Sequence, residues 1–224
     1  MDKLAAVAAG EREDIYRFLS GLYLRPPSDP LLEMILDGSI ITTFRDDEEM
    51  SAFVKVASGI ANIKDELEAE HASLFVLPSG VIPHEAVYLD KEKRLGGRVT
   101  IGVRHFYERA GTDISENCIE VPDHIGMELE FMGLLCKIEK ELLESADHSS
   151  LLKCIELQKT FLQEHLSQWA YACCEEVIKH AVYGFYKAVA RLTIEFLKSE
   201  EEYVSGLYAK ACVEGEQLCG TAKN

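Results

Sequence analysis

The chain has 224 residues, 47% of them hydrophobic, and a formal net charge of −16 at pH 7. This length and composition suffice for a full hydrophobic core and predict a single domain. The acidic balance argues against nucleic acid as a ligand, because phosphate binding needs a basic face. A basic partner would instead be attracted. No apolar run approaches the ~18 residues that a membrane span needs, so none is predicted.

The N-terminal stretch and the cysteines bear on the compartment. The apolar run Leu4–Ala9 is shorter than the ~7–15 residues of a secretory signal core, and acidic residues follow it closely. Seven cysteines are present, and no Cys-x-x-Cys motif occurs among them. An odd number cannot all pair within one chain, and the spacings do not suit a zinc site. These features predict a protein of the reducing cytoplasm.

In the first half of the chain, apolar residues at helical spacing predict helices over residues 14–24, 29–36 and 46–59, and another that begins near Ile63. Asp29 is interpreted as an N-cap with Pro30 at the first helical position. Residues 76–97 contain several prolines and glycines and are predicted to be irregular. Such long loops are often functional. A helix over residues 98–110 follows, with Gly111 at its C-terminal end.

The second half begins with a helix predicted over residues 122–145. Pro122 suits a first helical turn, and Asp123 would lie where the helix dipole favours negative charge. His124 and Glu128 are four residues apart and would share one side of this helix.

Two further helices follow. Ser149 or Ser150 is expected to cap the first, whose apolar stripe continues to Trp169. The second is predicted over Glu175–Lys198, and the tail 206–224 as a short helix or a mobile segment. With no alternating strand pattern, the sequence predicts an all-α fold, a single-domain helical bundle over residues 1–224 with its core in residues 12–198.

Three parts of the sequence could carry catalytic or ligand-binding chemistry. Gly96–Arg98 lacks the spacing of nucleotide-binding loops and is interpreted as a plain turn. His71, His124 and Glu128 could converge in space, so a helical metal-dependent hydrolase is the alternative hypothesis for function. Cys118 precedes a helix, where thiol pKa values fall, but no particular histidine pairs with it.

A binding role agrees better with the loop region. The apolar run Leu74–Leu77 leads into Val81–Tyr88, which mixes aliphatic and aromatic side chains with a carboxylate. Such a surface can hold an apolar peptide and a nearby positive charge. The same pattern is equally consistent with Phe75 and Tyr88 fixing the loop to the core.

Three blocks of sequence resemble the TorD/DmsD/NarJ family of molybdoenzyme-maturation chaperones, and the likeness extends over about residues 12–198. Residues 16–23 near the N-terminus also have the pattern of this family. The central block, Glu120–Met132, is the most specific of the three. The blocks are Glu70–Phe75 followed by Pro83–Leu89, then Glu120–Met132, and then Phe161–Trp169 followed by Phe185 and Tyr186.

The resemblance implies an all-helical protein without catalytic activity or a cofactor of its own. Its partner would be the precursor of a molybdenum or tungsten pterin oxidoreductase. Members of the family bind the precursor's N-terminal region, often a twin-arginine signal peptide, until the cofactor is inserted. The positions that match the family's peptide-binding residues are Leu74, Phe75, Pro83, Glu85, Tyr88, Asp123 and His124.

Physical reasoning assigns roles to these positions and adds Glu128. Carboxylates of Asp123, Glu85 and Glu128 would accept hydrogen bonds from the two guanidinium groups, each contributing ~1.5–3 kcal/mol if shielded from water. The apolar side chains would cover the apolar run and dominate the affinity. A helical adaptor that binds a folded partner is a further alternative, and both a monomer and a homodimer remain compatible with the sequence.

Overall fold

The structure, a computed structural model, describes residues 3–45, 47–112 and 120–221, with side chains described as far as residue 213. The regular elements within these ranges are helices, which confirms the predicted all-α fold. None of these helices is both long and apolar enough to cross a membrane. The α-helices are α1 (Lys3–Leu24), α2 (Asp29–Asp37), α3 (Ile40–Thr43), α4 (Glu48–Ala57), α5 (Ile63–His71), α6 (Glu85–Leu89), α7 (Arg98–Arg109), α8 (Ile125–Ser145), α9 (His148–Phe161), α10 (Ser167–His180) and α11 (Gly184–Thr221).

Two π-helical turns complete the architecture. Residues 72–76 extend α5, and residues 162–166 join α9 to α10. Such turns widen the helix locally and often occur at functional sites.

The centre of the molecule is the packing of α1 against α8. Tyr16 and Leu19 on α1 are fully buried, as are Leu129 and Met132 on α8. A side chain at Gly133 would lie 3.3 Å from Cβ of Tyr16. The absence of a side chain at that position therefore lets the two helices approach closely.

A buried ionic network ties four helices together around Arg12. The Arg12 guanidinium donates to Glu139 on α8 at 2.8 Å, to Glu200 on α11 at 2.9 Å and to Gln158 on α9 at 2.6 Å. Each of these residues is at most 6% exposed. Both carboxylates therefore have a cation as a partner, which a buried charge requires.

The predicted helix over Glu175–Lys198 is wrong, because the chain breaks at residues 181–183 between α10 and α11. The carboxylate of Glu70 accepts hydrogen bonds from the backbone N–H groups of Val182 at 2.7 Å and Tyr183 at 2.8 Å. Glu70 thus caps the start of α11 from a distant part of the sequence. The tail from residue 206 continues α11 as a helix to Thr221.

Several predicted helix boundaries also differ. Helix α1 begins at Lys3, well before the predicted Asp14. Ser28 rather than Asp29 is the N-cap of α2. Asp147, whose carboxylate accepts from the N–H of Ser150 at 3.1 Å, caps α9 in place of Ser149 or Ser150. The Asp147 carboxylate satisfies a free N–H group and lies at the positive end of the helix dipole. For this reason α9 begins earlier than predicted, at His148.

The start of α8 was also predicted at the wrong residue. The helix begins at Ile125, with His124 as its N-cap, so Pro122 and Asp123 lie before the helix. The short helix α6 forms within the region predicted to be irregular. Both differences arise from one tertiary contact between the segment before α6 and the segment before α8.

Candidate peptide-binding site

Two segments distant in sequence pair at the centre of the candidate site. His84 and His124 form an isolated antiparallel bridge. The N–H of Glu85 donates to the carbonyl of Asp123, and the N–H of Ile125 donates to the carbonyl of Pro83, both at 2.9 Å. These bonds fix the start of α6 directly beside the start of α8, which brings Pro83, Glu85, Asp123 and His124 together as the sequence suggested.

Asp123 is fully buried and serves the start of α6. Its Oδ2 accepts a hydrogen bond from the N–H of Ala86 at 3.0 Å, and its Oδ1 lies 3.7 Å from Nδ1 of His84. Burial alone would raise the pKa of Asp123, but the nearby His84 ring and the hydrogen bond from Ala86 outweigh it and hold the pKa below its ordinary value. The carboxylate is therefore charged and engaged inside the protein in this conformation.

His124 caps α8 with its ring. Its Nδ1 accepts from the N–H of Gly126 at 3.0 Å, and its ring meets that of His84 edge to face at 5.1 Å. Burial, and next the charge of nearby His84, lower the pKa of His124 to about 3. His124 is consequently neutral at physiological pH, and the contacts favour the interpretation that it hydrogen-bonds locally rather than acting as a pH sensor.

A buried polar network lies behind α6. Both carboxylate oxygens of Glu85 lie 3.0 Å from Nδ1 of His165, and Glu128 accepts from the indole N–H of Trp169 at 3.2 Å. Burial, followed by the nearby Glu85 carboxyl, holds the pKa of Glu128 well above its ordinary range, which favours the protonated form of Glu128. The network joins α6, α8 and α10, and its two acids are at most 1% exposed.

The predicted apolar residues divide between two places. Phe75 is buried, and its ring packs edge to face against Tyr23, His71 and Tyr186. Tyr88 is half-buried, and its ring lies 5.4 Å from that of Trp169.

Leu74 is also buried, and its carbonyl accepts from the N–H of Val81 at 2.7 Å. A Cβ at Gly80 would collide with the carbonyl oxygen of Ser73. The loop of residues 77–84 therefore packs tightly onto the π-helical turn before it, with Leu74 and Phe75 beneath the surface.

A surface pocket of about 250 Å³ opens beside this loop. Of the predicted site residues, Tyr88 lines it. Exposed aliphatic side chains surround the loop, with Val76 68%, Leu77 52% and Ile82 40% exposed. The pocket is lined by Gly80, Val81, Ile82, Val87, Tyr88, Lys93, Glu176 and His180.

Sequence reasoning did not identify Glu176 and His180 as site residues, nor His165 and Trp169 as partners of the buried acids. Glu176 is partly exposed and lies 3.5 Å from both Lys179 and His180 on α10. Nothing in the local sequence distinguishes it from other surface acids. The available sequence signal is the set of aliphatic residues in this loop region, of which Val76, Leu77 and Ile82 are exposed.

Among the described residues, one group has ligand atoms close enough to hold a metal ion. Side-chain ligand atoms of His84, Glu120 and His124 lie within 4.8 Å of one another. Because Nδ1 of His124 accepts from Gly126, the proton of the neutral ring lies on Nε2. Binding a metal through Nε2 would therefore break the cap of α8, and the group does not fit an ion without rearrangement.

The alternative hypothesis of a metal-dependent hydrolase is not supported. His71 Nε2 lies 3.2 Å from the carbonyl oxygen of Tyr23, and Glu128 is engaged by Trp169. His71, His124 and Glu128 therefore do not converge as a ligand set. Cys118, considered as a thiol nucleophile, lies outside the described residues.

The family model described as "Nitrate reductase delta subunit" matches residues 45–175. The match covers more than half of the chain, so the chain belongs to this family. All eight predicted site residues, from Leu74 to Glu128, fall within the matched region.

Curated relatives give the same class. The protein named "Chaperone protein TorD" of Vibrio cholerae is 25% identical over 210 residues, covering 88% of this chain and 94% of that protein. Those of Vibrio vulnificus and Aliivibrio fischeri are 24% and 25% identical over 208 and 210 residues, each covering 88% of this chain and 95% of the relative. These matches confirm a TorD-like maturation chaperone. The relatives are named as chaperones and not as catalysts, which supports the prediction that the chain is not an enzyme.

A solved structure from Archaeoglobus fulgidus, described as a candidate redox enzyme maturation protein, is 20% identical to this chain. The alignment covers 70% of this chain and 92% of that one, with a TM-score of 0.36. A likeness at this level carries no argument about fold or function.

Proposed function

We propose that this protein is a cytoplasmic chaperone for a molybdenum or tungsten pterin oxidoreductase. It would bind the N-terminal twin-arginine signal region of the precursor until the cofactor has been inserted. The observation that carries the proposal is the pocket beside the loop of residues 77–84, with exposed aliphatic side chains at Val76, Leu77 and Ile82. An apolar peptide segment is the chemistry that such a surface takes.

The proposal divides the predicted site residues by burial. At the pocket, the half-buried Tyr88 contacts the apolar run of the peptide, together with the exposed Ile82. Leu74, Phe75 and Pro83 hold the loop in shape from beneath, together with the buried polar residues Glu85, Asp123, His124 and Glu128. A peptide that bound a buried carboxylate would first have to displace an internal hydrogen bond, at a cost close to what the new bond contributes. These acids therefore act indirectly, by holding the loop in its conformation.

Glu176 is the acid placed to meet an arginine of the peptide. It lines the pocket, and its side chain is 45% exposed. At that exposure an ion pair contributes only ~0–1 kcal/mol, so the arginines orient the peptide while apolar contact supplies most of the affinity.

Calorimetry with synthetic peptides tests the proposal. A peptide with two arginines followed by an apolar run should bind, and serine replacements in the apolar run should weaken binding more than alanine replacements of both arginines. The variant Ile82→Ser should lose roughly tenfold in affinity, as an interface residue does when its truncation costs over 1 kcal/mol. The control Val56→Ser changes a side chain that is 57% exposed on α4, away from the pocket, and should bind normally.

Two results would count against this function. If the free peptide fails to bind while the full precursor binds, the protein is an adaptor for a folded partner. If Ile82→Ser and Val56→Ser bind the peptide equally well, the pocket is not the binding site.

A further inference from the structure

A concentrated basic segment stands out on this acidic protein. Residues 91–109 contain six Lys or Arg and two Glu, whereas the whole chain has a formal charge of −16. The segment covers the loop after α6 and the whole of α7. All six cations are exposed. We call this set the basic surface: Lys91, Lys93, Arg94, Arg98, Arg104 and Arg109.

Most of these charges are not neutralised within the described part of the chain. Arg94 lies 3.2 Å from Glu92, in a pair that is mostly exposed. Arg109 stacks over the ring of Phe106 at 4.8 Å. Arg98, Arg104 and Arg109 make no ion pair with any described residue. An external anion can therefore approach them without displacing a described acidic partner.

Arg98 is also placed unfavourably for the helix itself. It is the first residue of α7, and no acidic residue occupies that first turn. A cation at the positive end of a helix dipole is unfavourable by roughly 0.3–1 kcal/mol. Helix stability thus does not explain the presence of Arg98.

The inner face of α7 holds the basic surface in a fixed orientation. Val103, Phe106 and Tyr107 are buried, and the hydroxyl of Tyr107 donates to the carbonyl of Pro122 at 2.8 Å. At its start, the N–H of Gly96 donates to the Thr100 hydroxyl at 3.1 Å. A helix of this length presents about 18 Å of surface, a span suited to one side of a protein interface.

Aliphatic side chains are interspersed with the cations. Leu95 and Ile101 are each 51% exposed. We propose that the basic surface docks an acidic surface of a partner protein that also carries exposed aliphatic side chains. This inference does not depend on the proposed function, although Lys93 adjoins the pocket.

The same observations disfavour other polyanions. A helix that lies in a membrane interface needs a broad apolar face turned outward, and the apolar face of α7 is turned inward. Single-stranded nucleic acid is held by exposed aromatic platforms, and Phe106 and Tyr107 are buried.

The test compares two double charge reversals with equal effects on net charge. Arg98→Glu with Arg104→Glu alters the basic surface. Lys55→Glu with Lys198→Glu alters exposed cations on α4 and α11. The probe is a fluorescent synthetic peptide in which pairs of glutamates alternate with single leucines, and binding is followed by anisotropy. Circular dichroism checks that both variants remain helical.

The unmodified protein and the Lys variant should bind the peptide alike, and the Arg variant should bind roughly tenfold more weakly. Binding should also weaken as salt rises from about 0.05 to about 0.5 M, because exposed charges are screened. Equal binding by both variants would overturn the proposal. So would tighter binding of phosphatidylserine vesicles or of DNA than of the peptide, or self-association that the Arg variant abolishes.

Discussion

Asp123 and His124 are adjacent in the chain yet cap different helices. Asp123 accepts from the start of α6, and His124 accepts from the start of α8. The carbonyl of Asp123 and the N–H of Ile125, on either side of His124, also pair with Glu85 and Pro83 on either side of His84. Neighbouring side chains of an extended segment point to opposite sides, so one short segment can serve two elements. The polar residues of this site therefore hold the loop in place, in addition to any contact that they make with a ligand.

The unusual pKa of His124 predicts a loss of stability in mild acid. The folded pKa of about 3 lies below the ordinary value of 6.5, so the unfolded chain takes up a proton first as the pH falls. The free energy of unfolding should therefore fall by about 2 kcal/mol between pH 8 and pH 5 from this residue alone. Burial also lowers the pKa of His71, which adds to the same trend.

Urea denaturation at several pH values measures the effect. His124→Asn keeps an acceptor at the N-cap and removes the titration, so its stability should depend less on pH over this range. A variant that is as sensitive to pH as the unmodified protein would show that His124 titrates normally in the folded state.

Glu128 predicts the opposite trend at higher pH. Its folded pKa is raised, so the folded protein holds a proton that the unfolded chain releases as the pH rises past the ordinary value of 4.5. From this residue alone, the free energy of unfolding should therefore fall as the pH rises above that ordinary value, which opposes the contribution of His124. Glu128→Gln has no such proton to release, so this loss should be absent from the variant. The control Glu130→Gln removes an exposed acid two residues away and should leave the loss unchanged.

At the scale of elements, the junction between α10 and α11 depends on a side chain from α5. The apolar stripe runs through residues 175–198 in helical phase, and the chain nevertheless leaves the helix at residues 181–183. Glu70 supplies an acceptor for the N–H groups of Val182 and Tyr183, which lie in this break just before α11. Gly184 is equally constrained, because a Cβ there would lie 2.5 Å from the carbonyl oxygen of Glu49.

Removing this cap should destabilise the protein and loosen the junction. Glu70→Ala leaves two backbone donors without their acceptor, and the free energy of unfolding should fall by ~1–3 kcal/mol. Hydrogen exchange should accelerate at Val182 and Tyr183. Glu68→Ala changes an exposed acid on the same helix and should have little effect. Unchanged exchange at the junction in Glu70→Ala would mean that the break does not need this cap.

At the scale of the whole molecule, charge is distributed in three ways. Buried charges of the Arg12 network join α1, α8, α9 and α11. Exposed acids dominate the surface and set the net charge of −16. The basic surface forms a local exception along α7. Of these three sets, only the Arg12 network is shielded from salt. The free energy of unfolding should therefore respond to salt much less than binding at the basic surface does.

The Arg12 network should be the most sensitive single point of the fold. Arg12→Leu would leave Glu139 and Glu200 buried without a cation, at a cost of ~3–5 kcal/mol in the free energy of unfolding. Arg17→Leu, at a half-exposed position paired with Glu13 on the same helix, should cost less than ~1 kcal/mol. Comparable losses in the two variants would show that the buried network adds little.

The sequence determined the fold class, because helical spacing of apolar residues is a local property that each segment carries. It also indicated the segments around Leu74, Glu85 and Asp123, since the family resemblance lies in those residues. It did not determine the break at residues 181–183 or the true start of α8. Those depend on Glu70 and on the segment around His84, which approach only when the chain has folded. The exposure of the acids was likewise decided by the tertiary structure. The predicted acids Glu85, Asp123 and Glu128 are buried, and Glu176 lies at the pocket. Burial depends on what packs against a residue rather than on its neighbours in sequence.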